Sequence, residues 1–271
     1  MLRRMSRTAA MFVMVATVGL VGTAVTGGSA AAVTPPAERP AEATITDTPT
    51  ADTADVGTLD ACYTWNRTLR QGMSGADVTQ LQIRVAGYPG TGQVLAIDGQ
   101  FGPHTAQAVT RFQQAYGLGA DGIAGPATYN QIYALQSADC SPANFTFAEL
   151  NRCNSNWSGG AVSAATAREN AKRTMWKLQA MRRAMGNAPL NISSGFRSVS
   201  CNNAVGGASN SRHLYGDAAD LVGSHSFCRL AQAARNHGFN GILGPGYPGH
   251  NDHTHVDHRA SRFWSAPNCG I

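Results

Sequence analysis

SRHLYGDAAD, residues 211–220, sets His213 and Asp220 on either side of Gly216. Glycine adopts backbone angles that other residues resist, so the chain can bend at Gly216 and present both side chains as ligands to one metal ion. AADLV, 218–222, reads as a short strand. A second cluster lies downstream in GHNDHTHVDHR, 249–259, which holds four of the chain's eight histidines and two aspartates. Alternate side chains of an extended strand share a face, so His253 and His255 point the same way. Hydrolytic zinc sites use three protein ligands and keep a fourth position for water. Neither cluster decides the matter alone: a His-rich surface loop, or a helix–strand junction that happens to carry His and Asp, would read the same.

Around these clusters the pattern is mixed. In VSAATARENAKRTMWKLQAMRRAMGN, 162–187, Ser163 can cap a long helix with Ala171, Met175, Leu178 and Met185 as its apolar stripe and Gly186 near its end. The methionines of that stripe read as core. Short strands follow at PLNIS (189–193), AADLV, GILG (241–244) and THVDH (254–258), with a helix over FCRLAQAARNHG (227–238) between them. This predicts an α+β domain over 143–271 with a small, mostly antiparallel sheet.

Residues 59–142 differ. IDGQFGPHT at 97–105 repeats as ADGIAGPAT at 120–128, sharing Asp-Gly, Gly-Pro and Thr. Asp-Gly supplies a tight turn, and the proline suits a first helical position because it has no N–H to leave unpaired. Helices are predicted after each copy, with Val109 and Phe112 on the buried face of the first. An earlier helix in DVTQLQIRVAGY puts Val78, Leu81 and Val85 on one side. A compact helical module with glycine-shaped turns is the reading.

Arg3, Arg4 and Arg7, an apolar run from Met11 to Val25 and small residues at 29–32 read as an export signal over 1–32. No second stretch is long and apolar enough to span a bilayer. The Pro-, Thr- and acid-rich segment 33–58 reads as a linker or pro-segment. The whole chain carries a formal net charge of +5; the signal holds three arginines and the linker a net excess of four acids, which leaves +6 on 59–271. A mildly basic exported protein suits an anionic wall, while two lysines and no arginine-rich stripe speak against a nucleic-acid binder. All six cysteines lie beyond the linker without a CxxC pair, so three disulfides are expected in an oxidising exterior, with fifteen pairings open on spacing alone.

Taken together, S-x-H-x-x-G-x-A-x-D followed by D-H-x-H closely resembles the zinc D-alanyl-D-alanine carboxypeptidases, wall metallopeptidases related to D,D-dipeptidases and phage endolysins. The likeness extends to SGFRS (194–198), the CYTW start (62–65) and the WSAPNCGI ending (264–271), and thus over the mature chain. Residues 62–138 resemble the three-helix peptidoglycan-binding domain found beside many wall hydrolases; that likeness names no glycan-contacting residue. The resemblance implies zinc on His213, Asp220 and His255, with His253 facing substrate and Asp252 as general base. It places Arg197 in the substrate site, where binding the peptide's terminal carboxylate and stabilising the oxyanion remain alternatives. His250 is a candidate cleft residue. It also implies the pairings Cys62–Cys140, Cys153–Cys201 and Cys228–Cys269.

The expected activity is an exported, monomeric, zinc-dependent DD-carboxypeptidase acting on the C-terminal D-Ala-D-Ala bond of stem peptides, with cross-link endopeptidase activity as an extension. The alternatives are an L-alanyl-D-glutamate endopeptidase and a non-catalytic wall-binding protein. The two lysines lack the SxxK of serine peptidases and there is no HExxH, which favours the metal route of this family. Of the remaining groups, His104 and His237 read as structural, the latter as a cation offsetting a helix dipole. His225 reads as a surface group, Asp257 and His258 as rim or surface, and Tyr247 and Trp264 as packing.

Overall fold

A computed structural model describes residues 62–153 and 156–271. The export signal and linker read at 1–32 and 33–58 lie outside the described residues, as does the start of the helical region at 59–61. Among the described residues, no helix is long and apolar enough to cross a membrane.

The helical region contains α1 (Ala76–Val85), α2 (Pro103–Ala115) and α3 (Pro126–Ala134). Both α2 and α3 open with the predicted proline, each behind an extended glycine. The repeat has a physical core that its sequence only hinted at. Gln82 of α1 donates through Nε2 to Asp98 Oδ1 at 2.8 Å, to the Gln100 carbonyl and to Thr105 Oγ1, while its Oε1 accepts from the Asp98 and Gly99 amides. Gln113 of α2 does the same for the next turn, donating to Asp121 Oδ1 at 3.0 Å, the Ile123 carbonyl and Thr128 Oγ1, and accepting from the Gly122 amide. Each buried amide thus fastens a turn to the preceding helix with its polar atoms paired, as burial requires. Val78, Leu81, Val85, Val109, Phe112 and Ile132 fill the apolar centre.

The second region is α+β, as predicted. After the short α4 (Phe147–Leu150), the long α5 (Ala164–Ala184) begins at Ser163, whose Oγ accepts from the Thr166 amide at 3.1 Å. Five strands follow: β1 (Asn191–Ser194), β2 (Ala218–Val222), β3 (Gly241–Leu243), β4 (Thr254–Asp257) and β5 (Phe263–Ser265). Their order in the sheet is β1-β2-β4-β3-β5, antiparallel except for the β3–β5 pair. The helix α6 (Val199–Ala204) follows β1, and α7 (Phe227–Ala234) joins β2 to β3. Met175, Leu178 and Met181 of α5 pack with Leu230 of α7 and with Ile192, Leu221, Ile242 and Val256 of the sheet. The methionine stripe is core.

The other face of α5 belongs elsewhere. Trp176 and Ala180 sit in the apolar cluster of the helical region, so one helix contributes to both cores. Gly87 permits the approach, because a Cβ there would lie 2.4 Å from that of Ala180. One buried hydrogen bond crosses the seam, His237 Nδ1–H donating to the Gly87 carbonyl at 2.8 Å, and beside it Lys177 Nζ donates to the Gly238 carbonyl within the second region at 2.6 Å. Burial pushes the Lys177 ammonium down to a pKa of about 7. It also lowers that of His237, which corrects the expected helix-end cation to a neutral, hydrogen-bonded core group.

The disulfides are Cys62–Cys140, Cys153–Cys201 and Cys228–Cys269, the sequential set implied by the resemblance.

Candidate metal centre

The sheet creates the site by register. Antiparallel pairing of β2 with β4 sets Asp220 opposite His255, and directly opposed residues share a face. His213 comes from the 3-10 turn Arg212–Tyr215, which Gly216 ends at φ +73° before the chain enters β2. The bend expected at that glycine is therefore present. An Arg212–Asp217 ion pair braces the same turn.

Three atoms converge there: His213 Nε2 lies 3.1 Å from Asp220 Oδ1 and 3.1 Å from His255 Nδ1, and His255 Nδ1 lies 2.9 Å from Asp220 Oδ1. All three residues are buried. The far side of each is fixed. His213 Nδ1 meets the Gly195 carbonyl at 2.5 Å, His255 Nε2 meets Asp257 Oδ2 at 2.9 Å, and Asp220 Oδ2 accepts from Arg197 Nη2 at 2.7 Å. A carbonyl can only accept, so the His213 proton resides on Nδ1 and its Nε2 lone pair points inward. The ionised Asp257 likewise claims the Nε2 proton of His255, which turns Nδ1 to the same point, where it offers a lone pair once its own proton is displaced. Two imidazole lone pairs and a carboxylate oxygen facing one another are a donor set for a divalent cation, with the backing partners that metal-ligating histidines need.

The electrostatics agree. Burial pushes the His213 ring toward its neutral form. Burial also opposes ionisation of Asp220, yet His213 and His255 hold its carboxyl well below the usual range. For His255 burial works against the charged form, but hydrogen bonds to Asp220 and Asp257 outweigh it and raise the pKa to about 9.

The remaining predicted residues gather around this centre. His253 Nε2 lies 3.6 Å from Asp220 Oδ1, and its Nδ1 donates to Asp252 Oδ1 at 2.7 Å. Asp252 is the outermost, with its side chain 89% exposed, and the bond to His253 lowers its pKa. The His250 ring is half-buried, 4.7 Å from that of His253 and 5.9 Å from that of His255. Tyr247 packs against it at 5.2 Å. Arg197 sits behind Asp220, and its Nε also donates to Ser194 Oγ at 2.8 Å.

Asp257 and His258 are not rim groups. Asp257 is completely buried, and His255 and Arg259 hold its carboxyl far below the usual range against the cost of burial. Arg259 Nε and Nη2 donate to it at 3.0 and 2.5 Å. Strand alternation was the available signal, since Asp257 follows His255 by two positions in β4 and shares its face. The His258 ring packs against Phe239, and burial drives its pKa well down. His225 is partly buried, with Nε2 enclosed, and so is no simple surface group; His104 is exposed. Trp264 packs as expected, donating from Nε1 to the Phe239 carbonyl at 3.1 Å.

Residues 143–257 match the family model for Peptidase M15. The chain is 71% identical over 234 residues to the zinc D-Ala-D-Ala carboxypeptidase of Streptomyces albus G, covering 86% of this chain and 92% of that one. The chain belongs to the M15 peptidase family. In this M15 peptidase, residues 74–132 also match the model of a putative peptidoglycan binding domain, which spans α1 to most of α3. Shorter likenesses run to a probable N-acetylmuramoyl-L-alanine amidase of Bacillus licheniformis, 49% identical over 67 residues and covering 23% of this chain and 19% of that one. A spore cortex-lytic enzyme of Bacillus cereus is 41% identical over 81 residues, 29% of this chain and 30% of that one.

Proposed function

We propose that this M15 peptidase is an exported, monomeric zinc DD-carboxypeptidase that removes the terminal D-alanine from peptidoglycan stem peptides. His213 Nε2, Asp220 Oδ1 and His255 Nδ1 hold the zinc. The observation that carries this reading is the convergence of those three buried acceptor atoms, each backed by a fixed partner. Likeness to the Streptomyces enzyme over nearly its whole length supports the D-Ala-D-Ala bond as substrate. The three disulfides suit an oxidising exterior and support export.

When bound, zinc supplies Lewis acidity that makes a water molecule nucleophilic at neutral pH and polarises the scissile carbonyl. Asp252, ionised and at the open edge, takes the proton of the attacking water and delivers it to the departing amine of D-alanine. It also orients His253, whose Nε2 faces the centre and, when protonated, donates to the oxyanion. Arg197 is fixed by Ser194 and Asp220, which leaves Nη1 for the substrate's negative charge. His250, stacked beside His253, lines the approach.

Mass spectrometry of a defined pentapeptide muropeptide, digested with and without chelator, tests the reading. The expected product is the tetrapeptide plus free D-alanine, with chelator abolishing both. Cleavage only between L-alanine and D-glutamate would assign the endopeptidase instead, and no cleavage by zinc-loaded protein would leave a wall-binding protein. Asp252→Ala should retain zinc while kcat falls by about 10²–10⁴-fold; unchanged turnover removes Asp252 as the base.

A further inference from the structure

The helical region carries a second concave site, far in character from the metal centre. Trp65, Asn66, Thr68, Tyr129, Asn130 and Tyr133 line a hollow of about 240 Å³, with Arg67 at its edge. The Trp65 and Tyr129 rings stack in parallel, with centroids 5.0 Å apart and planes 4° apart, and Tyr133 leans on Trp65 at 5.8 Å. The aromatic floor is held rigidly. Trp65 Nε1 donates to the Asp77 carbonyl, the Trp65 amide donates to Tyr133 Oη, and Tyr129 Oη donates to the Arg67 carbonyl, each at 2.9 Å.

The first copy of the internal repeat has no such floor. Tyr129 and Tyr133 of α3 occupy the positions that Ala106 and Thr110 hold in α2. In α2 those positions lie beneath the next turn, where a Cβ on Gly122 would stand 2.8 Å from Thr110 Oγ1. After α3 the repeat ends, and the segment 65–68 borders the equivalent face as a wall of the hollow.

We propose that this hollow binds a sugar residue of the peptidoglycan glycan strand. The inference rests on the reading of the helical region as the wall-binding part of the enzyme. The half-buried Trp65 and Tyr133 rings, backed by the buried Tyr129, offer apolar ring surface to the C–H face of a pyranose, and Asn66, Thr68 and Asn130 offer neutral donors and acceptors for hydroxyl and N-acetyl groups. Charge selects against the stem peptide. Arg67 is the only charged side chain in the lining, and Asp77 neutralises it through bonds of 2.6 and 3.0 Å, so the hollow offers a carboxylate no net positive charge. The volume suits one sugar unit, being smaller than the usual pocket for a drug-sized ligand.

The test uses the full mature chain carrying Asp252→Ala, so that the wall stays intact, and measures its co-sedimentation with purified sacculi. Peptide-free glycan strands should release the bound enzyme, and the pentapeptide should not. Trp65→Leu should weaken wall binding about tenfold, and Asn130→Ala, at an exposed position that leaves the floor intact, about threefold. Unaltered melting temperatures exclude unfolding as the cause, and Asn130→Ala decides the matter if Trp65→Leu is unstable. Release by pentapeptide alone overturns the glycan assignment. Sacculus binding unaffected by either substitution overturns the hollow while leaving the domain reading in place. Failure of the parent protein to sediment overturns the domain reading itself, and the hollow with it.

Discussion

The molecule buries two kinds of polar cluster, and they are built on opposite rules. Around Gln82 and Gln113 the amide donors meet acceptors and the acceptors meet donors. Around Asp220 three acceptors meet one another. The first arrangement is satisfied by the chain itself and holds turns in place. The second is reconciled only by a proton or a metal, and its outer partners enforce the mismatch rather than relieve it. An incomplete network that the surrounding fold actively maintains is the mark of function here.

The comparison breaks most severely at His255. His255→Ala should remove bound zinc and reduce D-alanine release to background, as measured by metal analysis of the dialysed protein; retention of one zinc per chain would exclude it as a ligand. Asp257→Asn keeps the ligand but weakens its backing. Zinc affinity, measured by competition with a chromogenic chelator, should fall about 10–100-fold, whereas a surface role for Asp257 would leave it unchanged. On the other side, Gln113→Ala should spare zinc affinity and cost about 1–3 kcal/mol of stability in denaturant unfolding, because the Gly122 amide loses its acceptor.

The last prediction concerns Lys177 on the seam. Its folded pKa, about 7, lies below the ordinary lysine value of 10.5, so the unfolded chain binds the extra proton between those limits. Its contribution should raise stability as pH rises through that window. Lys177→Met should flatten the corresponding part of the profile relative to wild type, and identical slopes would contradict a buried, destabilised ammonium.

The sequence made much of this legible because the informative patterns are local. Ser163 precedes its helix, proline follows glycine in both repeat turns, and Gly216 separates two ligand-bearing positions by one bend. What joins Asp220 to His255 is the β2–β4 register, a long-range pairing that no local pattern encodes; the family resemblance supplied it. Asp257 reads as rim or surface in sequence because an aspartate is usually solvated, although strand alternation places it beside His255. The double role of α5 was hidden for a related reason. Its methionine stripe marks one buried face, while Trp176 and Ala180, pointing elsewhere, become core only when a second domain covers them.

That shared helix has a consequence for work on a polymer. A hydrolase tethered through a flexible linker sweeps a sphere around its point of attachment, and linker length sets the local concentration of its targets. Here no such linker separates the helical region from the sheet, because α5 packs into the apolar cores of both. On the proposed reading of the helical region as the wall grip, the metal centre would work at a fixed offset from that grip rather than sweep about it, so the spacing of stem peptides along the strand would decide which come within reach.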